Sequence, residues 1–137
     1  MRSVRRQLRL GPGRPVEVKR AEIGRRAELA VVDYLVVRGF SILGRNVRLG
    51  PLELDIVARQ GSLVAVVEVR TRGSTALEGA FESIGPTKRA RLRKAVDRLW
   101  RETLEAMKDV ERVRIDAAAV TFEGGVTSVE YVEGAIG

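Results

Sequence analysis

Two runs of strand-forming residues, Leu52–Arg59 and Ser62–Thr71, flank the dipeptide Gln60–Gly61, and this hairpin constrains the chain more than any other feature. Val, Ile and Leu dominate both runs, and a short glycine-containing connection joins antiparallel neighbours. What looks like a buried sheet nevertheless carries Glu53, Asp55, Glu68, Arg70 and Arg72. With Gln60–Gly61 as the turn, Arg59 pairs with Ser62, Asp55 with Val66, and Glu53 with Glu68. Asp55 and Glu68 then share a face as diagonal neighbours, within the roughly 7–8 Å that a bridging ion could close. A bulge would break that parity. Glu53 opposite Glu68 sets like charges in direct register, which is unfavourable without a cation. A solvated outer face explains the same spacing, but Val57, Val64 and Val66 on that face ask for burial. Buried acids need a partner, and a hard divalent ion with oxygen ligands is a natural one.

Composition narrows the chemistry. The 137 residues contain no histidine and no cysteine, so Ser–His and Cys–His nucleophile pairs, zinc fingers and a disulfide framework cannot be built. No apolar run approaches the roughly 18 residues a membrane span requires, and no signal peptide is evident. A cytoplasmic protein with no membrane partner is the expectation. The formal net charge is +7, concentrated in residues 1–26, where nine Lys/Arg face Glu17 and Glu22. Residues 1–16, with GPGRP and no clear periodicity, are expected to form a basic flexible arm ahead of one domain over 17–137. Of the 25 basic residues 21 are Arg, the residue suited to bidentate phosphate contact, which points to nucleic acid.

Periodicity supplies the remaining elements. Ile23, Ala27, Ala30, Val31, Tyr34 and Leu35 make a helical stripe over Lys19–Arg38 that Gly39 ends. Ser41–Val47 reads as a first strand. Gly85–Pro86 opens a second long helix with Leu92, Ala95, Val96 and Leu99 inward. Val113–Phe122 and Val126–Val132 close the domain around Glu123–Gly124–Gly125. Tyr34 and Trp100 are expected at the core or its edge, and Arg114 with Asp116 as a structural pair.

The segments AELAVVDYLVVRGFSILGRNVR (27–48), ELDIVA (53–58), VEVRTR (67–72), Lys88 and RID (114–116) resemble the YraN family of restriction-endonuclease-like proteins, which are related in fold to archaeal Holliday-junction resolvases. The likeness spans roughly residues 20 to 120. It implies an α/β fold: a restriction-endonuclease-like core with a mixed central β-sheet flanked by two long helices. It also implies a catalytic cluster of a helix glutamate, a second-strand aspartate and E-x-K on the third strand. Carried over residue by residue, these are Glu28, Asp55, Glu68 and Arg70. Two departures stand out: Ala27 replaces the usual glycine before the helix glutamate, and Arg70 replaces lysine. Lysine can shed a proton and act as a base; arginine effectively cannot.

The implied activity is hydrolysis of phosphodiester bonds by an endonuclease. Asp55 and Glu68, with the carbonyl of Val69, would hold Mg²⁺ or Mn²⁺, Glu28 would orient the ion or its water, and Arg70 would fix water or phosphate. DNA is favoured over RNA, and recognition by backbone or DNA structure is favoured because no base-reading element is visible. Arg25, Arg45, Asn46, Arg48, Arg72, Lys88 and Arg91 are the expected nucleic-acid contacts, and a homodimer is compatible with the sequence. A nucleic-acid-binding protein without catalysis, or an assembly domain reusing the fold, are the competing classes. Binding of the first would be indifferent to divalent ions; the second would bind DNA weakly at physiological salt.

The basic arm makes one prediction on its own. If three or four of its arginines contact phosphate, deleting residues 1–16 flattens the slope of log K against log salt by about 3, at ~0.9 per contact. An unchanged slope would show the arm to be a bystander.

Overall fold

The computed structural model describes residues 16–71 and 84–137. Its elements run α1 (Val16–Val37), β1 (Ser41–Leu49), β2 (Leu52–Gln60), β3 (Leu63–Thr71), α2 (Pro86–Glu102), a 3₁₀ turn (Leu104–Ala106), β4 (Arg112–Glu123) and β5 (Val126–Ile136). The strands form one five-stranded sheet in sequence order. β3 and β4 pair in parallel across the connection that holds α2, and every other pair is antiparallel. The chain is therefore α/β, with a mixed sheet and two long helices. The expected arm lies outside the described residues apart from Val16, which begins α1; Arg72 also lies outside them.

Each helix forms and stops for local reasons. Ala27, Val31 and Leu35 recur every four residues and are fully buried, which gives α1 one apolar seam. It ends where Gly39 takes φ +93 while Phe40 N donates to Leu35 O and Gly39 N to Val36 O, a Schellman closure that glycine adopts without strain. α2 opens with Gly85 extended and Pro86 at the first position, where its missing N–H costs nothing. Its buried residues are Leu92, Ala95, Val96 and Leu99, as the periodicity requires.

The two helices cover opposite faces of the sheet. Ala65 and Val67 pack with the α1 seam, whereas Val64 and Val66 pack under α2 with Val57, Leu92 and Leu99. Burial on both faces explains why Leu63 to Val67 of β3 is an unbroken apolar run.

The hairpin differs from expectation in register. Gln60 pairs with Leu63 and Ile56 with Val67, so the turn is Gly61–Ser62 and not Gln60–Gly61. Gly61 takes φ +61 in that turn, and Leu63 stays buried as a strand residue, which moves Ser62 into the connection. The shift of two residues preserves the shared face of Val57, Val64 and Val66. Continued past Ile56–Val67, it brings Asp55 opposite Glu68, closer than the expected diagonal. Glu53 is exposed and faces Arg48 of β1, so the expected Glu53–Glu68 pairing does not form.

A second departure lies further along the same hairpin. Ile56 packs on the α1 side, but Leu54 packs on the α2 side, which breaks the period of two at Asp55. The neighbouring strand does the same. Arg45, opposite Ile56, reaches Glu28 of α1, whereas Val47, two residues on and opposite Leu54, packs on the α2 side. A register shift between Ile42 and Gly44 and a left-handed Asn46 (φ +51) accompany the change. Asn46 and Asp55 fall between the pairs Arg45–Ile56 and Val47–Leu54. The distal half of the hairpin thus leaves the α1 face and wraps toward α2.

At the far side of the sheet, Asp116 is fully buried and ties β4 to β5. Its carboxylate accepts from Arg114 (2.7 and 3.0 Å), the Tyr131 hydroxyl and Gly134 N (2.8 Å). It fills a bulge in which one β4 residue stands against Glu133, Gly134 and Ala135. Burial and the Asp116 contact push the Tyr131 phenol well above its ordinary range. The Tyr131 ring stacks on Tyr34 of α1 at 5.0 Å, and the Arg38 guanidinium lies 3.5 Å from the Tyr34 ring centre. Arg114 and Asp116 are the expected structural pair, and Tyr34 and Trp100 sit at the core edge. Among the described residues no helix is long and apolar enough to cross a membrane.

Asp116→Ala strips three donors of a buried acceptor and should destabilise the fold by about 3 kcal/mol or more. Urea denaturation reads this directly, and a loss below about 1 kcal/mol would contradict the anchoring role.

Candidate active site

Five elements deliver side chains to the point where the hairpin changes faces. α1 contributes Glu28, β1 Arg45 and Asn46, β2 Asp55, β3 Glu68 and Arg70, and α2 Lys88. Glu28 lies one residue past Ala27 and three before Val31, at the border of the buried seam, so its carboxylate emerges beside the sheet. Asn46 Nδ2 donates to both of its oxygens, at 3.3 and 3.2 Å, and Arg45 lies 3.7 Å away. On the neighbouring strands, Asp55 Oδ2 accepts from Val69 N at 2.8 Å. Glu68 is buried, 5% exposed, with the Arg70 guanidinium and the Lys88 ammonium each 3.5 Å from Oε2. Lys88 reaches it because Pro86 starts α2 beside the end of β3, which puts the third helical residue over Glu68.

The electrostatics of Asp55 stand apart. Burial pushes its carboxyl up to about 7 from the ordinary 3.8, and the nearby Glu68 and Glu28 charges push the same way. The Val69 N–H and Lys88 pull it down without cancelling the rise. Asp55 is thus the poorly compensated member of the pair, while Glu68 has Arg70 and Lys88 against it. Arg70 adds an unfilled donor: its Nε is buried and has no hydrogen-bond partner among the described residues.

The donor set fits a hard divalent cation of low protein coordination. Among the described residues no three acids, histidines or cysteines gather as a complete metal cage. Mg²⁺ needs no such cage: it keeps several waters and is commonly held by one or two carboxylates plus substrate phosphate. Asp55 and Glu68 supply two such oxygens, and the raised Asp55 pKa marks an uncompensated negative site that a cation would relieve.

The other expected contacts distribute unevenly. Arg25, Arg48 and Arg91 are exposed. Arg45 is half-exposed against Glu28, so one of its sides stays open to solvent. Asn46 and Lys88, also expected on phosphate, touch Glu28 and Glu68 in this structure. No sequence signal separates these two uses of Lys88, since a basic run at a helix start serves either.

The Asp55 environment predicts a pH-dependent stability. The folded state holds the proton more tightly than the unfolded chain, so this contribution is present below about pH 4 and is lost as pH rises to about 7. Asp55→Asn keeps an acceptor for Val69 N but carries no charge. In EDTA at pH 8 it should be more stable than wild type by an amount on the order of 2 kcal/mol, with the gap closing toward pH 4. A variant less stable than wild type at pH 8 would contradict this picture.

Known sequences now place the chain. The profile of the uncharacterised protein family UPF0102 matches residues 27–120, which include Glu28, Asp55, Glu68, Arg70 and Lys88. A UPF0102 protein of Sorangium cellulosum (strain So ce56) is 48% identical over 124 residues, covering 90% of this chain and 86% of its own. Another, from Kineococcus radiotolerans, is 41% identical over 115 residues, covering 82% of this chain and 91% of its own. A third, from Leifsonia xyli subsp. xyli, is 37% identical over 102 residues, 74% of this chain and 84% of its own. The chain belongs to the UPF0102, or YraN, family.

Proposed function

We propose that this chain is a divalent-metal-dependent DNA endonuclease with a restriction-endonuclease-like fold. The observation that carries the proposal is the Asp55–Glu68 pair. Two carboxylates meet on adjoining strands, one of them desolvated enough to rise to about 7, at a point bordered by basic residues from α2 and β1. Carboxylates concentrated on an otherwise apolar sheet serve stability poorly and metal-assisted phosphoryl chemistry well.

Asp55 and Glu68 would hold Mg²⁺ or Mn²⁺, which when bound supplies water activation and neutralises charge on the phosphoryl oxygens. The chain's own groups do the rest. Arg70 stays protonated throughout, so its contribution is to position phosphate and offset charge growing in the transition state. Its buried, unpartnered Nε–H is a donor in reserve beside Glu68. Lys88 holds the Glu68 carboxylate from the other side and extends the positive rim toward Arg91. Glu28 adds a third negative charge that Asp55 senses, from the opposite face of the hairpin. Exposed Arg25, Arg48 and Arg91 would contact backbone phosphates, which suits recognition of DNA structure over base sequence.

One observation favours a second function. Arg70 stands where the resemblance expects lysine, and a chain that only binds nucleic acid has no need of a proton-shuttling cation.

Cleavage of branched, single-stranded and duplex DNA in Mg²⁺, Mn²⁺ or EDTA separates the two. Wild type should cut at least one substrate only with a divalent ion, Asp55→Asn and Glu68→Gln should fall to background while still binding DNA, and Arg70→Lys should change the rate modestly. DNA binding without cleavage of any substrate, identical in Mg²⁺ and EDTA, would leave the binding protein.

A further inference from the structure

Side chains of consecutive residues in a regular strand point to opposite faces, yet Arg45 and Asn46 both reach Glu28. The left-handed φ of Asn46 (+51) makes this possible, and a non-glycine residue in that region inside a strand is uncommon. The local backbone is built around it. A Cβ at Gly44 would lie 2.8 Å from Val47 Cγ2 and force that side chain to move, and the register shifts between Ile42 and Gly44. Asn is among the few residues that enter the left-handed region cheaply, and its short amide is the part that contacts the carboxylate.

We propose that Asn46 is a positioning residue for the active site, and that the kinked segment 42–46 exists to aim Glu28. This rests on the nuclease reading above and deepens it by adding a residue that acts through another. Asn46 Nδ2 spans both oxygens of Glu28 and so fixes the plane of the carboxylate, while Arg45 lies on one oxygen only. Asn46 falls in the same gap of the β1–β2 register as Asp55, so the Glu28 carboxylate it restrains is tied, from the α1 side, to the point of the hairpin that carries Asp55. Strained backbone of this kind persists where the surrounding structure over-determines it, and it clusters at functional sites. On this assignment Asn46 serves Glu28 and not nucleic acid, which revises the expectation from sequence.

Asn46→Gly is the informative variant, because glycine keeps the positive φ and deletes only the amide. Three readouts are compared with wild type and Glu28→Gln: Mn²⁺ affinity by calorimetry, kcat and KM for cleavage, and DNA affinity in EDTA. Expected for Asn46→Gly are a 10- to 100-fold loss in Mn²⁺ affinity or kcat, the size usual for residues that orient a metal site from behind. KM and DNA affinity should stay unchanged, and the double variant with Glu28→Gln should be no worse than Glu28→Gln alone. Wild-type kcat and Mn²⁺ affinity in Asn46→Gly would overturn the proposal and reduce the bond to a strut between α1 and β1. Loss of DNA affinity with kcat intact would return Asn46 to the phosphate-contacting role. If wild type neither binds Mn²⁺ nor cleaves, the nuclease reading fails first and this assignment falls with it.

Discussion

A sheet covered by helices on both faces has no wet side on which to put a carboxylate, and that constraint organises this molecule. α1 and α2 bury alternate residues of β3, so any acid in the central strands must be desolvated, partnered or moved to a border. Asp116 takes the second course, with donors from Arg114, Tyr131 and Gly134 around it. Asp55 and Glu68 divide: Glu68 is paired with Arg70 and Lys88, whereas Asp55 accepts from the Val69 N–H and remains desolvated. They stand where the hairpin passes from one helix's territory to the other's, and Asp55 remains poorly compensated there. One buried acid closes a bulge and stabilises; the other pair strains the fold at a place open to chemistry.

Much of the architecture is legible in the sequence, for reasons that differ by element. The four-residue spacing of Ala27, Val31 and Leu35 and the pattern Leu92, Ala95, Val96, Leu99 specify both helices and their inner faces. The β-branched runs specify β2 and β3, and Asp55 and Glu68 stand out because acids in apolar strands are conspicuous, whereas Glu28 and Arg70 are singled out by the family resemblance. Register was less accessible. A two-residue turn can be set at Gln60–Gly61 or Gly61–Ser62 with the same parity, and only the burial of Leu63 decides. The face change at Asn46 and Asp55 leaves no periodic trace, because Leu52 and Leu54 alternate as regularly as any strand. Lys88 comes to Glu68 through the crossover between parallel strands, a contact no local pattern encodes.

Arg70 shows how a substitution can keep geometry while changing what chemistry is allowed. It sits 3.5 Å from Glu68, as a lysine at that position could, and its guanidinium offers fixed donors in a plane. It cannot lend or accept a proton at any physiological pH. Under the proposed nuclease function, a site using it would draw its base from elsewhere, and a cation held by the carboxylates with the donors around a phosphate would carry the catalysis. Lys88 is the group from α2 that approaches the same oxygen, and it supplies the point charge that Arg70 does not.

If Asp55 and Glu68 form a cation site, as proposed, the Asp55 carboxyl reports on it directly. Its titration can be followed by the carboxyl carbon resonance in NMR, without and then with saturating Mg²⁺. Without the ion the midpoint should lie near 7, as burial and Glu68 dictate. With it, an adjacent positive charge should lower the midpoint by about one to three pH units. The same midpoint in both solutions, or an Asp55 that titrates near 4 without any ion, would contradict a cation site there.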